Sequence, residues 1–98
     1  FSIFKKIKPN FIINTAAFTN VSKAENIPFQ KLKCNFEGVL NLLKICKKFN
    51  TFMIHLSSDY VFDGLKKKPY LETDKCFPIN KYGKSKFLGE ENIIKYNY

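Results

Sequence analysis

Two short apolar runs flank a long stretch of helical period, and that order constrains the fold more than anything else in the 98 residues. The first run follows Pro9, where Phe11, Ile12 and Ile13 stand side by side, two of them β-branched. A strand without polar alternation fits one covered on both faces, as in a parallel sheet. The second, "TFMIHLSS" at residues 51–58, opens as a buried strand and breaks into a polar loop. Between them, residues 28–49 place Phe29, Leu32, Phe36, Val39, Leu43 and Cys46 at steps of three and four, a helical stripe. Lys31, Lys33, Lys44, Lys47 and Lys48 fall mainly off that stripe or in the last turn, where cations suit the helix dipole. Asn50 can end the helix. A further helix is predicted from about residue 80 to residue 96, with Tyr82, Lys86, Gly89 and Ile93 along one face. Strand, helix, strand, loop, helix is a βαβ unit with parallel strands and a right-handed crossover. The fold class predicted is therefore α/β, a doubly wound parallel sheet. Two strands cannot bury both faces of a sheet, so the unit requires neighbours.

Composition narrows the partners. The formal charge is +9, yet every basic residue is lysine, and arginine is the residue suited to bidentate reading of phosphate or bases. The excess of Lys, Asn, Ile, Phe and Tyr follows A/T-rich codons, so the charge argues weakly for nucleic acid, and none is expected as a partner. No run approaches about 18 apolar residues, so no membrane span is expected. Three cysteines, Cys34, Cys46 and Cys76, form no C-x-x-C pair and indicate neither a disulfide framework nor a zinc site. Reduced thiols and a cytoplasmic location are the reading. The sequon Asn20-Val21-Ser22 has no secretory signal to give it meaning.

Ligands of doubly wound sheets gather at the carboxyl ends of the strands. The first strand exits through Asn14, Thr15, Ala16 and Ala17, small residues that let a ligand approach the backbone. The second exits into "SSDYVFDG", residues 57–64, and a loop containing Gly64, Pro69 and Pro78. Lys66, Lys67 and Lys68 read as a solvated loop tip. The helix that follows can bring Tyr82 and Lys86 to the same edge. A phenol with a pKa of about 10 is poorly matched to proton transfer at neutral pH, and an ammonium one turn away favours its phenolate. A serine hydroxyl can donate to a carbonyl oxygen that becomes an alkoxide. Hydride has to come from a cofactor, since no side chain supplies it. Two residues stand out beside this set. Asn35 interrupts the apolar line Leu32, Val39, Leu42, Cys46, and a buried amide needs partners. His55 sits inside the second strand and reads as packed and hydrogen-bonded.

Four blocks carry a family resemblance across almost the whole chain: "KPNFIINTAAFTNVSKAE", "CNFEGVLNL", "SSDYVFDG" and "FPINKYGKSKFLGEE". Together they resemble the extended short-chain dehydrogenase/reductases, and within them the dTDP-4-dehydrorhamnose reductase family. The resemblance implies a Rossmann domain of which residues 1–98 are the central part, without the N-terminal glycine-rich turn and the C-terminal substrate lobe. It implies Tyr82 as proton donor and Lys86 as its electrostatic partner, holding the ribose hydroxyls of NADPH or NADH. It implies Ser58 as the catalytic hydroxyl, in a place that usually holds threonine, with Ser58 and Asp59 beside the sugar nucleotide. Thr15, Ala16 and Ala17 match the stretch lining the cofactor, and Asn35 fits the family's buried helix asparagine. No metal ligand is implied. The full-length parent would reduce dTDP-4-dehydro-6-deoxy-L-mannose to dTDP-L-rhamnose, with a homodimer as the assembly open to it. Ser22 stands where the family usually has aspartate, and Thr15 where it has alanine. The regulatory β subunit of methionine adenosyltransferase is similar through the same two C-terminal blocks, and other reductases or epimerases of sugar nucleotides form a further alternative.

Overall fold

The computed structural model describes residues 1–96; the last two residues of the predicted domain, 97 and 98, lie outside the described ones. Strands β1 (Phe11–Asn14) and β2 (Phe52–His55) pair in parallel, with Phe11 opposite Phe52 and Asn14 opposite His55. The predicted strand–helix–strand order is therefore present, though each strand is only four residues long. One face of this ribbon turns Ile12 and Met53 onto a core of Phe4, Val39, Leu43 and Cys46. The other face leaves Phe11, Ile13, Phe52 and Ile54 exposed.

Three further elements escaped the sequence reading: helix α1 (Ser2–Ile7), helix α2 (Val21–Glu25) and a 3-10 turn at Asp59–Val61. Each is six residues or shorter, too short to display a period that can be told from chance. The single helix predicted over residues 28–49 is divided. Phe29–Asn35 is a 3-10 helix, and α3 (Glu37–Lys48) begins only after Phe36, whose φ is −132°. The break faces the neighbouring helix: the Asn35 carbonyl lies against Gly89, and the Phe36 carbonyl, which accepts from Leu40 N–H at 3.1 Å in the new helix, also accepts from Asn92 Nδ2 at 2.9 Å.

Helix α3 ends where expected. Asn50 takes a left-handed φ of 52°. Thr51 N–H donates to the Cys46 carbonyl at 2.8 Å and Asn50 N–H to the Lys47 carbonyl at 3.3 Å, the paired bonds of a Schellman ending. Thr51 Oγ1 then donates to the Pro9 carbonyl at 2.9 Å, tying the start of β2 to the start of β1.

Helix α4 (Lys81–Tyr96) matches its prediction. Asn80 caps it, its Oδ1 accepting from Gly83 N–H at 2.7 Å. Two glycines let α4 approach closely: a Cβ on Gly83 would collide with the Tyr60 carbonyl, and one on Gly89 with the Asn35 carbonyl. The loop after β2 folds on itself. Phe62 and Tyr70 stack at 4.2 Å, Tyr70 OH donates to Asp63 at 2.9 Å, and Lys66 pairs with Asp74. Lys66, Lys67 and Lys68 are all exposed, as expected of a solvated loop tip, with Lys66 in addition paired to Asp74.

The two glycine environments give opposite expectations. Gly89→Ala should lower unfolding stability by about 2 kcal/mol, because a backbone carbonyl has to move. Gly38→Ala, where the nearest atom would be the Cys34 Cβ at 4.0 Å, should raise it by up to about 1 kcal/mol through helix propensity. Denaturant titration of both variants checks the pair; equal effects would remove the argument for a tight seam at Gly89.

Candidate active site

The exit of β1 is shaped by two asparagine amides. Asn14 Oδ1 accepts from Ala16 N–H at 3.2 Å. Asn35, wholly buried, accepts from Phe18 N–H through Oδ1 at 2.8 Å and donates from Nδ2 to the Phe18 carbonyl at 3.1 Å. Its Nδ2 also donates to Ser85 Oγ at 2.9 Å, and Ser85 Oγ donates to the Tyr82 carbonyl at 2.7 Å. Asn35 therefore binds across 17 and 50 positions of sequence, joining the β1 exit to the first turn of α4. Within this frame Thr15 and Ala16 are exposed and Ala17 is half-buried, so the backbone is approachable from solvent.

The exit of β2 is anchored from α4. Leu56 N–H donates to the Asn14 carbonyl at 3.2 Å, and the Leu56 carbonyl accepts from Lys86 Nζ at 2.8 Å. Ser57 Oγ donates to Glu90 Oε2 at 2.8 Å. Ser58 caps the 3-10 turn, its Oγ accepting from Tyr60 N–H at 3.1 Å, with a long contact of 3.4 Å to Asp59 Oδ1. Its hydroxyl proton is committed only to that long contact and can turn to a carbonyl oxygen. Asp59 is exposed beside it.

Tyr82 and Lys86 are both buried on α4, at 7% and 2% exposure. Tyr82 packs with Ala24 and Leu32, and Tyr60 meets its ring edge-on at 5.6 Å. Burial pushes the Lys86 ammonium below its ordinary 10.5, while Glu90 and the Cys34 thiol pull the other way. An ammonium has three protons, and the Leu56 carbonyl takes one of them. The remaining donors, together with the small-residue exit at 15–17, suit a ribose and a flat ring laid along the backbone. Of the residues predicted from sequence, Tyr82, Lys86 and the β1 exit are linked through Asn35, Ser85 and Leu56. Ser58 is joined to the set through the β2 backbone, without a direct bond to Tyr82. An open cleft of about 180 Å³ lies alongside, lined by Asp59, Tyr60, Phe62, Asp63, Gly64, Ile79 and Asn80, and so it takes in only Asp59 of the predicted residues.

Sequence reasoning placed Asn14 at the strand exit without giving it a role, and passed over Ser85 and Glu90. The alternate-face period of the strand could have flagged Asn14, which shares the inward face with Ile12. Ser85 sits three positions after Tyr82, where a small polar residue on a buried helix face asks for a partner. Among the described residues no cluster of three potential metal ligands occurs, and no helix is long and apolar enough to cross a membrane.

A parallel strand pair with its polar groups gathered at the carboxyl edge, tied to a following helix through Lys86 and Leu56, defines a Rossmann-like α/β domain. Within that class the model of the RmlD substrate binding domain matches residues 2–98, and the chain belongs to that family. It is 44% identical over 94 residues to a dTDP-4-dehydrorhamnose reductase of Aggregatibacter actinomycetemcomitans, covering 96% of this chain and 32% of that protein. The crystal structure of a dTDP-4-dehydrorhamnose reductase from Bacillus anthracis in complex with NADP superposes with a TM-score of 0.89 at 32% identity, covering 96% of this chain and 34% of that one. A hypothetical dTDP-4-dehydrorhamnose reductase from Sulfolobus tokodaii gives 0.84 at 43% identity, over 93% of this chain and 33% of that one. The chain thus spans about a third of the length of the relatives it matches.

The Asn35 clamp is open to a direct check. Asn35→Ala strands the Phe18 backbone groups and should cost about 3 kcal/mol of unfolding free energy. Combining it with Ser85→Ala should cost less than the sum, by about 1 kcal/mol, since the two share one hydrogen bond. Strict additivity in denaturant titrations would deny the coupling.

Proposed function

We propose that the full-length protein is an NAD(P)H-dependent reductase acting on the 4-keto group of dTDP-4-dehydro-6-deoxy-L-mannose to give dTDP-L-rhamnose. The observation that carries the reading is the buried Tyr82–Lys86 pair on α4, with Lys86 held on the Leu56 carbonyl at the exit of β2. The reductase names of the relatives support it over the regulatory-subunit alternative. Residues 1–98 form the central part of the cofactor domain. The glycine-rich turn and the substrate lobe belong to other parts of the full-length protein.

The nicotinamide, when bound, supplies hydride to the substrate's C4. The chain's own residues do the rest. Thr15, Ala16 and Ala17 offer a low wall of small side chains for the cofactor. Lys86 uses its free donors on the ribose hydroxyls. Ser58 donates to the C4 oxygen and holds it toward Tyr82, with Asp59 beside the sugar. Tyr82 gives its hydroxyl proton to that oxygen, so ketone, hydride and proton balance as an alcohol. The charge left on the phenolate is favoured by the Lys86 ammonium one helical turn along α4. The burial that lowers the pKa of Lys86 also keeps water from weakening its field. The reading includes NADPH or NADH as cofactor, a cytoplasmic location and a homodimer of the full-length protein.

Turnover of dTDP-4-dehydro-6-deoxy-L-mannose by the full-length protein, followed through NADPH absorbance, tests this reading. Tyr82→Phe should lower kcat by at least about 100-fold while leaving cofactor affinity nearly unchanged. A wild type that binds NADPH and the sugar nucleotide without turnover, or a Tyr82→Phe variant as active as wild type, would sink the assignment.

A further inference from the structure

Strands β1 and β2 end side by side on two polar residues, Asn14 and His55, which are register partners. The orientation of the Asn14 amide is fixed by its surroundings. A backbone N–H only donates, so the atom accepting from Ala16 N at 3.2 Å is Oδ1. The other end, Nδ2, then faces His55 Nδ1 at 3.1 Å and donates to it. An imidazole nitrogen that accepts carries no proton, so the ring is neutral and protonated on Nε2. Nε2 itself is buried without a hydrogen-bond partner among the described residues. An unpartnered buried N–H is costly, and a residue that merely filled the space would avoid that cost.

We propose that His55 is a positioning residue: by accepting from Asn14 Nδ2 it turns Asn14 Oδ1 onto Ala16 N–H and so sets the shape of the 15–17 segment that receives the cofactor. This rests on the reading that the segment lines a nicotinamide cofactor. The link is directional throughout. An imidazolium would set an N–H against the Asn14 NH2 and force the amide to turn, removing the acceptor from Ala16. The charged and titratable groups facing the ring are few. Helix α4 presents the Lys86 ammonium and β1 presents the neutral Asn14 amide. Burial, and then the Lys86 charge, hold the His55 pKa below the ordinary 6.5. Because the folded value is depressed, the neutral ring is the resident form at neutral pH. Its protonation competes only as pH falls below that value.

The test uses the full-length protein, with NADP⁺ as the probe. Selective ¹⁵N labelling of histidine should show the Nε2–H tautomer for His55 at about pH 7.5. Calorimetric titration with NADP⁺ should find His55→Phe weakened about tenfold, the loss expected when one hydrogen bond's ordering effect is removed. His55→Gln, which keeps an acceptor and cannot be protonated, should bind within about twofold of wild type. Between about pH 7.5 and about pH 5.5 the wild type should lose more affinity than His55→Gln, and this difference separates the ring from titration of the cofactor's own phosphate. An Nδ1–H tautomer, a His55→Phe variant that binds like wild type, or equal pH dependence in wild type and His55→Gln would each overturn the proposal. If the wild type shows the Nε2–H tautomer yet binds no NADP⁺, the cofactor reading itself fails, and this role falls with it.

Discussion

The amide of Asn35 is the interaction on which the rest of this structure depends. Its two ends address the two backbone groups of Phe18, and its spare proton addresses Ser85. Three segments that chain connectivity does not hold together, the β1 exit, the end of the 3-10 helix and the first turns of α4, thereby share one fixed geometry. An apolar residue in the same place would pack but would leave those backbone groups unpaired in a dry interior. The break between the 3-10 helix and α3 lies beside this clamp, where the Asn35 side chain and carbonyl both meet α4.

Tyr82 and Lys86 inherit their placement from this frame. Ser85 lies between them in sequence and is held by Asn35, so the helical phase of both flanking side chains is set by a bond that neither of them makes. Lys86 adds a second tie by reaching the Leu56 carbonyl, which makes the ammonium part of the support as well as a charge. A buried cation with one backbone acceptor and a carboxylate nearby keeps donors in reserve. A fully salt-bridged lysine would not.

Much of this was legible in the residues. The apolar runs at 11–13 and 52–54 announced the strands, the stripe from Phe29 to Cys46 announced a helix, and Asn50 announced its end. Asn35 was conspicuous because it broke an apolar line. The unbroken helix over 28–49 was misread because steps of three and four do not distinguish a 3-10 turn from the α-helix that follows it. The short helices at Ser2–Ile7 and Val21–Glu25 lacked the length for a period to register. Local patterning could mark Asn14 and Ser85 as inward-facing, but not their partners, which lie 41 and 50 residues away. The linkage of Tyr82 to the strand exits belongs to the same kind of information.

The uncovered side of the two-stranded ribbon sets a demand on whatever packs there. Phe11 beside Phe52 and Ile13 beside Ile54 form an apolar ladder, and a parallel sheet is stable with both faces covered. Residues that alternate inward and outward along the same four-residue strands are thus apolar on both sides, so the ladder is a seat for a second packing layer and not a surface shaped for water.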